Sequence, residues 1–111
     1  MRIHPRPSTP SLHVPAAATP AVVTLAAVAE KRHHITSIAY SYSAAPTGGR
    51  LTVACGATTV LDLAITAAGP GQLTFPSPLR NSDANEAVTV TLASGAGAVE
   101  GKLTVLSYQE S

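Results

Sequence analysis

The chain has no tryptophan, one cysteine, one phenylalanine and three tyrosines in 111 residues. A single thiol cannot close an internal disulfide, so no covalent framework holds this fold together. Cys55 stands in the run Val53-Ala54-Cys55, with no basic or helix-terminal neighbour to make it a thiolate, and is read as a small buried strand residue. The four aromatics, Tyr40, Tyr42, Phe75 and Tyr108, are too few to line a sugar-stacking cleft. Charged side chains make up only 12% of the chain, which is thin for a surface wetted on every side and fits one that is largely covered in an assembly. No apolar run approaches the ~20 residues of a membrane-spanning helix, so no membrane partner is expected. No segment repeats at a fixed period.

The few charges are unevenly placed. Residues 1–34 carry Arg2, Arg6, Lys31 and Arg32 against Glu30, whereas residues 35–111 carry Arg50, Arg80 and Lys102 against Asp62, Asp83, Glu86, Glu100 and Glu110. All four histidines lie in the first of these segments. The net charge is +1, and the basic end has no interleaved aromatics, so nucleic acid is not an expected partner.

Each catalytic constellation lacks a required part. There is no G-x-S-x-G, and a Ser-His-Asp triad needs a histidine held by packed structure, whereas these histidines sit in or beside the proline-rich lead. Asp62 falls in a strand pattern and Asp83 and Glu86 in a polar loop, with no aromatic platform for a glycosidase cleft. His33 and His34 are adjacent, and neighbours on a strand point to opposite faces, so they do not chelate one ion together. Gly48-Gly49 and Gly69-Pro70-Gly71 precede no helix and carry no phosphate-loop lysine. The reading is of a non-enzyme with no cofactor and no metal.

Residues 1–20 read MRIHPRPSTPSLHVPAAATP. Pro5, Pro7, Pro10, Pro15 and Pro20 fix φ and remove donors, which excludes a regular helix or a central strand and predicts an extended, polyproline-like N-terminal arm. The same prolines interrupt the apolar helix a secretory leader would need between Arg6 and the cleavage-like Ala27-Val28-Ala29.

From residue 21 to 111 the pattern changes to period two and predicts one domain of about seven strands, an antiparallel β-sandwich or jelly roll. AVVTLAA (21–27) opens it. HHITSIAYSYS (33–43) follows, with Ile38, Tyr40 and Tyr42 on one face. Leu51, Val53 and Cys55 alternate in one run and Leu61, Leu63 and Ile65 in the next, and the pair reads as a hairpin around Gly56-Ala57. Leu73 and Phe75 align before Pro76 and Pro78 force that segment to an edge. Val88, Val90 and Leu92, then Leu103 and Val105, complete the inward set, with Leu106 and Tyr108 on the opposite face of the last strand. The segments APTGG (45–49) and NSDANE (81–86) are loops.

Residues 20–111 resemble a group of small β-sandwich proteins encoded by tailed phages and prophages. The resemblance lies in VTLAAVAEKRHHI, IAYSYSAAPTGGRLTV, ITAAGPGQLTF with Pro78-Leu79 shortly after, and VTVTLASGAGAVEGKLTVLSY. It implies a virion component, a capsid decoration or cement protein or a tail accessory, binding the major capsid protein or another virion protein and often trimeric. On that reading Ile3, Pro5, Pro7, Leu12 and Val14 are expected to anchor the arm on a partner, and Arg2 and Arg6 to meet acidic groups there. The alternative is a receptor- or carbohydrate-binding module of a tail fibre or baseplate, with APTGG and NSDANE forming its site.

Overall fold

The computed structural model describes residues 9–80 and 84–110. Among them are eight strands: β1 Thr9–His13, β2 Ala21–Leu25, β3 Arg32–Tyr42, β4 Gly49–Cys55, β5 Thr58–Ile65, β6 Gly69–Arg80, β7 Val88–Leu92 and β8 Gly101–Glu110. The pairings nest. β4 pairs with β5, β3 with β6, β2 with β7 and β1 with β8, all antiparallel. The chain is therefore one long hairpin turning at Gly56-Ala57. Gly56, at φ 58°, takes the first central position of that two-residue turn, where a side chain would be strained.

The hairpin is rolled so that successive pairs fall in opposite sheets, β1-β8-β3-β6 over β2-β7-β4-β5. The contacts β3–β8 and β4–β7 join the pairs within each sheet. This is the jelly-roll order, one of the two sandwich forms the alternating pattern predicts.

The core lies between the sheets and follows the alternation. Leu51, Val53 and Cys55 of β4, Val88, Val90 and Leu92 of β7, and Leu103 and Val105 of β8 are buried, together with Ala21 and Val23 of β2. Each fully buried aliphatic side chain contributes roughly 1.5–3 kcal/mol. The sheet edges contribute less: Leu61, Leu63 and Ile65 on β5 and Leu73, Phe75 and Leu79 on β6 are only partly buried against this core.

Period two alone would put Ile35 and Ile38 on opposite faces of β3. Both are buried, because the ladders with β6 and β8 shift register between Ile35 and Ser37. The bulge at Thr36 inserts one residue and restores Ile38 and Tyr42 to the inner face, and the Thr36 hydroxyl donates to the Leu106 carbonyl at 3.1 Å. Across the same irregularity the residues of β6 between Thr74 and Leu79 have no register partner in β3, and this interval contains Pro76 and Pro78. β6 is an edge strand, so the missing amide donors leave no central ladder broken.

Two expectations need correction. There are eight strands, not about seven, and the segment expected as an arm is, from Thr9 onward, part of the sandwich. Thr9–His13 pairs with β8 from Thr9↔Ser107 to His13↔Leu103. A proline is tolerated there because β1 lies at the sheet edge.

Candidate binding surface

Of the expected anchor residues, Arg2, Ile3, Pro5, Arg6 and Pro7 lie outside the described residues. Leu12 and Val14 are described and stand in solvent, 65% and 53% exposed. Leu12 faces outward from β1 because its ladder partner, Thr104, alternates with the buried Leu103 and Val105. One row across the outer face then reads Leu12, Thr104, Ala39, Gln72, and the next reads Lys102, Ser41, Pro70. These residues, with Tyr40 and Gly71, line an open groove of about 500 Å³. Gln72, Ser41, Thr104 and Lys102 offer hydrogen-bonding groups around a floor of Ala39, Leu12 and Pro70. Farther along the same sheet His34 and Tyr108, opposed in register, stack with ring centroids 4.8 Å apart and planes within 2°. The groove was missed from sequence although its residues are the outward set of strands whose inward set was read. Nothing in one sequence says which strands are neighbours.

The outer face of the other sheet differs. Its rows are Val22, Thr91, Thr52, Asp62 and Thr24, Thr89, Ala54, Thr59. Asp62 is engaged by Arg50, whose Nε donates to Oδ1 at 2.6 Å while Nη2 donates to Oδ2. That hydrogen bond, then the guanidinium charge, holds the Asp62 carboxyl below the usual carboxylate range. Apart from this self-neutralising pair, the two rows and their flanks are threonine, valine and alanine.

Two histidines hold the fold together locally. His13 Nδ1 accepts a hydrogen bond from the Val22 amide at 2.8 Å, tying β1 to β2 across the edge of the sandwich. His33 lies near the start of β3 and is buried, only 4% of it exposed. Its Nε2 lies 2.7 Å from the Ala26 carbonyl, and because a carbonyl only accepts, Nε2 carries the proton. Among the described residues no three His, Cys, Asp or Glu side chains gather as a metal site. Burial, and secondarily the charge of Glu86, pushes the Cys55 thiol up, the opposite of what a nucleophile needs. Among the described residues no helix is long and apolar enough to cross a membrane.

The described residues of the two loops proposed as an alternative site lie at opposite ends of β3. The 45–49 segment follows the C-terminal end of β3, where the Thr47 amide bonds to the Gly95 carbonyl. The 84–86 end of the other loop lies by the start of β3, where the Asn85 amide bonds to the Lys31 carbonyl. The eleven residues of β3 separate them.

No family model and no curated protein matches the chain. Among solved structures it is similar to the family 32 carbohydrate-binding module of C. perfringens NanJ in complex with galactose, at 15% identity over 93% of each chain and a TM-score of 0.39. A likeness at that level carries no argument about ligand; the sandwich assignment rests on the strand pairing above.

Proposed function

We propose that this chain is a structural component of a tailed-phage virion, a decoration or cement protein that binds the major capsid protein and stabilises the shell. The outer face of the β2-β7-β4-β5 sheet carries this reading. Apart from the one Arg50–Asp62 ion pair its side chains are short and neutral, so most of this face can be covered without taking a charge out of water. The low charge of the whole chain and the phrase-level resemblance point the same way. The jelly roll recurs in viral capsid and lectin domains, which is support by analogy alone. On this reading the protein acts in the virion, as a homotrimer, with Arg2, Ile3, Pro5, Arg6, Pro7, Leu12 and Val14 as further anchors.

The test is saturable binding to purified shells that lack the protein. Intact protein is expected to bind and to raise the temperature at which the shells open, and Thr91→Glu, which plants an uncompensated charge on the covered face, to bind much more weakly. Because Thr9–His13 belongs to a sheet, the informative truncation removes residues 1–8 only. Absence of binding by the folded intact chain rejects the reading. Equal binding by Thr91→Glu rejects the proposed face.

The groove on the opposite sheet favours a second reading, a receptor- or carbohydrate-binding module. Gln72 and Lys102 would there donate to hydroxyls of a sugar lying along β3. A glycan array that shows specific binding, abolished by Gln72→Ala, would favour this reading over the first.

A further inference from the structure

We propose that Thr9–His13 is an exchangeable strand: in a dimer of this chain, each copy lays its β1 on the β8 edge of the other. This needs no virion and stands independently of the function proposed above.

Three observations carry it. First, β1 places no side chain in the core. Every one of its residues is exposed or intermediate, whereas β2, β3, β4, β7 and β8 each place side chains in the core. What holds β1 is its five-residue register with β8 and the bond from the Val22 amide to His13 Nδ1. All of these can be re-formed across two copies with unchanged geometry.

Second, the hinge is strained when closed. Residues 14–20 turn the chain from one sheet to the other, and Ala18 sits there at φ 60°, a left-handed conformation unfavourable for a residue with a Cβ. The Ala18 amide is held to the Val99 carbonyl at 3.1 Å in this turn. Opening the hinge releases the strain, and Pro15 and Pro20 favour the extended form that follows. Seven extended residues span about 23–25 Å, more than the 20 Å thickness of the molecule.

Third, the vacated edge must be refilled. Without β1, the side of β8 from Leu103 to Ser107 presents unpaired amides and carbonyls. The occupant that matches this edge in register, and brings a histidine to Val22, is another copy of the same strand. Closed monomer and exchanged dimer then differ mainly by the hinge strain relieved, the Ala18–Val99 hydrogen bond given up on opening, and the entropy of association, which makes the balance depend on concentration.

The test uses the ladder pair Leu12↔Thr104, which faces outward. In a Cys55→Ala background, Leu12→Cys and Thr104→Cys proteins are mixed at high concentration and gently oxidised. In closed monomers these thiols are on separate molecules; in exchanged dimers they stand directly opposed, within disulfide reach. The mixed Leu12→Cys/Thr104→Cys dimer is expected in about tenfold excess over either homodimer, since only the opposed geometry raises effective concentration. From equal inputs random collision gives the mixed dimer only twofold over either homodimer, and that ratio overturns the proposal. Ala18→Gly, which removes the strain, is expected to lower the exchanged fraction about fivefold per hinge; an unchanged fraction contradicts the hinge argument. A second measurement needs no substitution: light and isotopically heavy copies of the intact chain are mixed and weighed as native ions. A mixed-mass dimer is expected, and monomer alone at every concentration overturns the proposal.

Discussion

The hydroxyl of Tyr42, at the end of β3, donates to the main-chain carbonyl of Ala93 at 2.6 Å, linking one sheet to the strand end of the other. The same oxygen accepts from the Arg50 amide at 3.4 Å. Only 2% of Tyr42 is exposed, and burial, more than any neighbouring group, raises its phenol above the ordinary tyrosine value. Tyr42→Phe keeps the packing and strands both main-chain groups, so it should cost about 1–3 kcal/mol of unfolding free energy, read as a shift in urea midpoint at unchanged slope. An unaltered midpoint would mean that water satisfies both groups. Because burial raises the folded-state value, the contribution of the Tyr42 hydroxyl is complete below about pH 10 and falls as pH rises beyond that.

Arg50 and Asp62 give the opposite dependence. The carboxyl is depressed in the folded protein, chiefly by the hydrogen bond from Arg50, so its stabilisation is present above the unfolded-state value near pH 4 and is lost as pH falls through the folded one. Thermal midpoints of the native chain should therefore decline between about pH 5 and pH 2 more steeply than those of Asp62→Asn. The difference should shrink in high salt, because both side chains are exposed. Parallel curves would show that the pair contributes nothing to folding.

The alternation of Leu51, Val53 and Cys55, of Val88, Val90 and Leu92, and of Leu103 and Val105 was legible because burial on one face imposes period two on each central strand. The β4–β5 hairpin was legible from its glycine turn. The bulge at Thr36 was not: an inserted residue shows only as two isoleucines of conflicting parity, and the run 33–43 reads equally well in either phase. β1 was missed because prolines and exposed side chains describe an edge strand and a free arm alike; what distinguishes them is β8, about ninety residues away in the chain. The groove at Gln72, Lys102 and Thr104 was invisible for the same reason, since it exists only once non-adjacent strands are side by side.

Tyr40 lies over Gly71, its partner across the β3–β6 ladder. A Cβ built on Gly71 would stand 2.3 Å from Tyr40 Cζ, so the ring occupies the space a side chain would need. Gly71→Ala must displace the ring and should cost about 1–3 kcal/mol. Much of that cost should disappear when Tyr40→Ala is already present, a coupling a double-mutant cycle measures directly. Additive effects of the two changes would place the constraint in the Gly71 backbone instead. The same displacement would alter the groove wall, so Gly71→Ala should also weaken any ligand held between Gln72 and Lys102.

Cys55 is the sharpest probe of whether the sandwich opens. Its thiol is buried at the end of β4, and burial followed by the nearby Glu86 charge keeps it protonated. Both effects slow alkylation, but they separate experimentally. Glu86→Gln removes the charge and lowers the thiol value, so labelling that proceeds through the folded state should quicken. Labelling that requires unfolding should instead follow the stability of the variant. For the native chain, modification at neutral pH is expected to be slow and to accelerate in denaturant in step with loss of β-structure. Fast modification without denaturant would mean that the β4 end opens locally near the Gly56 turn, which the buried position of Cys55 and the Gly56 amide bond to the Ala87 carbonyl at 2.9 Å argue against.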